Sequence, residues 1–169
     1  MKLTELFAAE LEREAVGTRR ALERIPEGRS DWKPHAKSMS LGQLANLVAG
    51  MPGWIAMMIH QDELDLNPPG GKPYRPKLVN TAAELIAAHD AALDGSLRAL
   101  AATTDEYLQT NWQLLVAGKV VADKPRHIVI RDTINHLAHH RGQLTVFLRL
   151  LDIPVPAIYG PSADEARFD

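Results

Sequence analysis

Five side chains able to bind a metal or move a proton fall within nine residues: Asp132, Asn135, His136, His139 and His140. If this stretch is helical, a step of about 100° per residue places Asp132, His136, His140 and, less closely, Gln143 along one face. His139 then lies about 60° to the other side of His136. A His-x-x-x-His pair on a helix can aim two imidazoles at one ion. Two imidazoles alone hold a metal weakly, because zinc centres use three or four protein ligands. A third donor must come from elsewhere, and Asp132, His139 and His89 are the candidates. The bland alternative is a polar seam of imidazoles, with Asp132 simply accepting an N–H from His136 one turn away.

The elements that would position these residues follow from hydrophobic spacing. Leu3, Phe7 and Leu11, then Thr18, Leu22 and Ile25, predict a first amphipathic helix stopped by Pro26 and Gly28. The charged run from Glu10 to Arg20 reads as its solvated face. Ser40 and Gln43 have capping-box spacing and open a second helix that carries Leu41, Leu44, Val48, Met51, Ile55 and Ile59, kinked but not ended by Pro52. Residues 62–79 hold Pro68, Pro69, Gly70, Gly71, Pro73 and Pro76, and read as an extended connection long enough to return along a helix pair. Thr81 and Glu84 open a third helix, and residues 112–122 suggest a hairpin turning near Ala117-Gly118. Pro125 suits the start of a long fourth helix, which contains the histidines. The proline-bearing tail from Asp152 is expected to wrap over the surface. Four amphipathic helices with no other large element predict one all-α domain, a four-helix bundle spanning residues 1–169.

Composition removes several function classes. The 169 residues include no cysteine, which leaves His, Asp, Glu and water for metal chemistry and excludes a thiolate nucleophile. A net charge of -2, with 19 basic and 21 acidic residues interspersed, provides no basic stripe for nucleic acid. No apolar run approaches a membrane span or a signal peptide, so the expected address is the cytoplasm. No Gly-rich loop follows a strand, and no serine has the setting of a nucleophile elbow.

The run Asn135-His-Leu-Ala-His-His-Arg-Gly-Gln-Leu-Thr-Val-Phe-Leu-Arg149, followed by Pro154-Val-Pro-Ala-Ile-Tyr-Gly-Pro-Ser-Ala-Asp-Glu165, resembles the C-terminal signature of the DinB/YfiT-like metalloenzymes. Trp32-x-Pro34, Ser40-Leu-Gly-Gln-Leu-Ala-Asn46 and Met51-Pro-x-Trp54 extend the likeness over almost the whole chain. The resemblance implies a four-helix bundle in up-down-down-up order, often dimeric. It also implies a nickel or zinc ion held by three histidines, one from the second helix and a His-x-x-x-His pair from the fourth. The pair corresponds to His136 and His140, whereas the second-helix position is Leu47, which has no donor atom. Some relatives transfer low-molecular-weight thiols, so one expectation is a divalent-metal-dependent enzyme of thiol S-transferase type with an incomplete triad. The alternative is a metal-free module for ligand binding or dimerisation. In that case an apolar cavity between the second and fourth helices would be lined by Leu47 and Met51, with His136 and His140 as its polar groups.

Overall fold

The computed structural model describes residues 1–166, so the last three residues of the expected domain and tail, 167–169, lie outside the described residues. In chain order the elements are α1 (Leu3–Leu22), α2 (Leu41–Gly50), α3 (Gly53–His60), β1 (Glu63–Asp65), α4 (Ala82–Ala102), α5 (Asp105–Leu108), β2 (Asn111–Val116), β3 (Lys119–Pro125) and α6 (Arg126–Leu150). The protein is mostly helical, with one small sheet. Among the described residues no helix is long and apolar enough to cross a membrane.

Both capping boxes form as their spacing predicts. The Ser40 hydroxyl accepts from the Gln43 amide at 3.3 Å while the Gln43 side chain accepts from the Ser40 amide at 2.9 Å. Thr81 and Glu84 repeat the exchange at the start of α4. The start of α1 is capped from a distance: the Asp105 carboxylate accepts from the amides of Leu3 and Thr4 at 2.8 and 3.0 Å. Those amide bonds hold the Asp105 carboxyl below its ordinary range.

Pro52 interrupts the second helix more strongly than a simple kink, dividing it into α2 and α3. Met51 and Pro52 both keep right-handed helical torsions, so the chain bends without leaving its course. Beyond the proline, the Ser96 hydroxyl of α4 enters the broken ladder. It donates to the Pro52 carbonyl at 2.6 Å and accepts from the Ala56 amide at 3.0 Å, bridging two groups that a regular helix would join directly. The bend also divides the core. Leu44 and Val48 of α2, with Met51 just beyond it, pack with Leu22, Leu85, Leu137 and Leu144. Ile55, Met58 and Ile59 of α3 pack with Phe7, Leu100, Trp112, Ile130 and Ile134, and Trp54 touches both clusters.

The expected hairpin is formed by β2 and β3, antiparallel, with a bulge between Leu114 and Leu115. Its turn places Ala117 at φ 53° and Gly118 at φ 74°, the left-handed pair that suits the twist of a two-residue hairpin. The long connection is not wholly irregular as expected, because β1 pairs in parallel with β2. The Asp65 carboxylate ties this strand to the hairpin tip, accepting from the amides of Ala117 and Gly118 at 3.1 and 2.7 Å. The far end of the connection is stitched to α2 by Asn46, which exchanges two hydrogen bonds of 2.8 Å with the Val79 backbone. Arg126, 1% exposed, joins the sheet to the helices. Its guanidinium donates to the carbonyls of Met58 and Asn111 at 2.8 and 2.6 Å, pairs with Asp62 and lies 4.4 Å from the centre of the Tyr107 ring.

Candidate functional site

On α6 the His136 and His140 imidazoles converge, with their Nε2 atoms 2.8 Å apart. His140 Nδ1 lies 2.7 Å from Gln143 Oε1, and Gln143 Nε2 lies 3.0 Å from His139 Nε2. With all three rings neutral, these contacts have one consistent direction. The Gln143 oxygen accepts only, so His140 carries its hydrogen on Nδ1 and its Nε2 is an acceptor. His136 must then donate from Nε2, which leaves its Nδ1 as the free lone pair, while His139 accepts the amide of Gln143. Burial and the neighbouring His140 and His139 push the His136 pKa down, favouring the neutral ring.

Asp132 does not orient His136. Its carboxylate pairs with Lys124 at 3.4 Å. His89 is buried on α4, with Nδ1 3.3 Å from Asp90 and Nε2 without a hydrogen-bond partner among the described residues. His127 meets the Leu108 carbonyl at 3.1 Å and is half-buried, and His35 accepts from the Lys37 amide. Leu47 packs half-buried against the α2 side of the core. Among the described residues no three His, Cys, Asp or Glu side chains are grouped to hold a metal ion. The converging pair therefore lacks the third donor that a three-ligand centre needs.

Beside the histidines lies a cavity of about 480 Å³. Trp54, Met57 and Met58 of α3 form one wall, and Val129, Asp132, Thr133 and His136 of α6 form another. Leu64 of β1 with Trp112 and Leu114 of β2 make the third, and Leu66 and Tyr74 of the connection cover it. Because α3 is the second half of the predicted second helix, the cavity does lie between the two expected helices, but the expected lining is corrected: of Leu47, Met51, His136 and His140 only His136 is part of it. Met51 is fully buried in the core, and Leu47 lines a separate cavity with Met39, Gln43 and Tyr74. The bend at Pro52 gives the wall to α3, and the small sheet closes a side that helices alone would have left open. Trp112 and Tyr74 are the site residues that spacing along the sequence does not reveal. The only trace of Trp112 was an aromatic at the start of the predicted hairpin.

A model of the DinB family matches residues 1–167. The chain belongs to the DinB family. In fold it is similar to a DinB-like protein from Bacillus cereus ATCC 10987, with a TM-score of 0.70 at 21% identity over 92% of this chain and 97% of the other. It is also similar to the DinB-like protein YjoA from Bacillus subtilis, with a TM-score of 0.67 at 16% identity over 90% and 96%. A stretch of 45 residues is 44% identical to the protein YrdA of Bacillus subtilis (strain 168), which amounts to 26% of this chain and 27% of that protein.

In this DinB-family chain the His-His-Arg-Gly-Gln-Leu run serves two separate purposes. His140 and Gln143 belong to the imidazole chain, whereas Arg141, 2% exposed, turns into the protein. Its guanidinium donates to the Glu14 carbonyl at 2.9 Å and pairs with the Glu14 carboxylate at 2.7 Å. It also donates to Tyr159, whose hydroxyl bonds Glu14 at 2.8 Å. Glu14 is thus not part of a solvated face, as the charge run suggested, but a buried acid neutralised by an arginine 127 residues away. The tail wraps over the helices as expected and is secured by Arg149 with Asp164 and Arg24 with Glu165.

Proposed function

We propose that this DinB-family protein binds a small, predominantly apolar molecule in the cavity between α3, α6 and the sheet, with His136 at its polar edge. The cavity carries the reading: its size lies within the roughly 300–1,000 Å³ usual for small-molecule sites, and its walls are mostly apolar with a few polar groups on α6. Two of the three tryptophans line it, so occupancy has an intrinsic optical signal. Titration with N-phenyl-1-naphthylamine, a neutral aromatic probe, should quench tryptophan emission with saturation at one probe per chain. Val129→Phe, which fills the cavity, should weaken the probe by about tenfold or more, or about 1.4 kcal/mol. Probe binding unaffected by that substitution would refute the reading.

The 2.8 Å approach of the two Nε2 atoms favours a second reading, in which a nickel or zinc ion is shared by His136 and His140. The thiol-transfer chemistry implied by the family resemblance belongs to this reading. Two imidazoles predict weak binding, and Leu47→His should raise nickel affinity by about a hundredfold or more in calorimetric titration of tag-free protein. Near-stoichiometric metal in the unsubstituted chain, lost in His136→Ala, would favour the metal-dependent reading over the metal-free one. Both readings take the long helical segments as an up-down-down-up bundle, supported by the length of the 61–81 connection, and the protein as a homodimer, supported by the resemblance.

A further inference from the structure

Two buried side-chain nitrogens are without a hydrogen-bond partner among the described residues, His89 Nε2 and Trp112 Nε1. They differ chemically. A neutral imidazole can leave Nε2 unprotonated, so an unpartnered His89 need not strand a donor, whereas an indole nitrogen always carries its hydrogen. They also differ in place, because His89 does not line the cavity and Trp112, 4% exposed, is part of its wall. A buried N–H without an acceptor is destabilising, and such groups are rare in folded proteins. Other polar groups of the same wall are engaged: Thr133 donates to the Val129 carbonyl at 2.9 Å, Asp132 pairs with Lys124, and His136 Nε2 meets His140.

We infer that the ligand of this cavity is an aromatic or conjugated apolar molecule bearing a neutral carbonyl, whose oxygen accepts the Trp112 indole N–H. The inference rests on the cavity reading above and adds the chemistry of the guest. The aromatic rings of Trp54 and Tyr74 with the thioethers of Met57 and Met58 provide flat, polarisable walls for a conjugated framework. A neutral acceptor fits better than a carboxylate, because the lining includes the acid Asp132 and no cation. An ion would also lose its hydration among apolar walls. The indole nitrogen is covered in this conformation, so the proposed bond requires the ring to turn its N–H toward the cavity when the ligand enters.

The test compares methyl naphthyl ketone with isopropenylnaphthalene, a hydrocarbon of the same shape with a methylene in place of the oxygen. Three tryptophans give three indole resonances in an N–H correlation spectrum of the isotopically labelled full chain, assigned by single Trp→Phe variants. The ketone should bind about tenfold more tightly than the hydrocarbon and move the Trp112 indole proton downfield. Trp112→Phe should abolish the preference while the hydrocarbon still binds. If that variant does not fold, the resonance of the unsubstituted chain decides alone. Equal affinities with no downfield movement at Trp112 would overturn the carbonyl inference and leave the cavity reading standing. Failure of both compounds to bind would overturn both.

Discussion

His140 and Arg141 are adjacent on α6, yet they belong to opposite kinds of environment. Arg141 faces α1 and the tail, where Glu14, Thr18 and Tyr159 surround its guanidinium. His140 points the other way, toward a half-exposed chain of imidazoles beside an apolar cavity. The first face is closed, with opposite charges paired and buried. The second is open, with the His136 and His139 imidazoles exposed and joined through His140 and Gln143. In the function proposed above, a single helix supports stability on one side and borders the ligand cavity on the other, and a one-residue step along the same signature changes the role.

The largest expected effect separates those two faces. Arg141→Met leaves the Glu14 carboxylate buried without its cation and should remove about 3–5 kcal/mol of unfolding free energy in urea titration. His140→Ala, on the open face, should change it by only about 0.5 kcal/mol. Comparable losses from the two substitutions would break the distinction between a structural and a recognition face. Next in size, Ser96→Ala removes the hydroxyl that bridges Pro52 and Ala56 and should cost about 1–3 kcal/mol. Because α3 is a wall of the cavity, the same variant should weaken N-phenyl-1-naphthylamine binding, which a defect confined to the α2 side of the core would not do.

The smallest effect concerns pH. Burial holds the His89 pKa below its ordinary value of 6.5, against the opposing pull of Asp90. The unfolded chain therefore takes up a proton at a pH where the folded chain does not. Stability from this group is fully present above 6.5 and is lost as pH falls below that value toward the folded-state pKa. Urea midpoints measured at about pH 7.5 and about pH 5.5 should decline, and His89→Gln should flatten the decline. His136 shifts in the same direction, so a residual slope in that variant should be removed by His136→Gln.

Much of the helical framework was readable residue by residue. Ser40 with Gln43 and Thr81 with Glu84 announced two helix starts, because a capping box needs only groups three positions apart. Ala117-Gly118 announced the hairpin for a similar reason, since the turn needs left-handed torsions at two consecutive residues. The alignment of His136 and His140 followed from helical periodicity alone. The burial of Glu14 was not readable, because its neighbours on α1 are charged and its partner is Arg141. Nor was β1, whose three residues become a strand only by pairing with β2. The cap on α1 was equally hidden, since Asp105 lies about a hundred positions away on α5.

By itself, the sequence determined where α2 and α4 begin, where the hairpin turns and which side chains share the histidine-bearing face of α6. Each of these is decided within one or two turns of chain, by hydrogen bonds and periodicities that span only a few residues. Tertiary structure alone decided that Arg141 neutralises a buried acid and that Ser96 repairs the break at Pro52. It also decided that the cavity lies against α3 and the sheet, not against α2. Those outcomes depend on groups separated by tens of residues, whose meeting is set by how the helices pack and bend and not by their spacing in the chain.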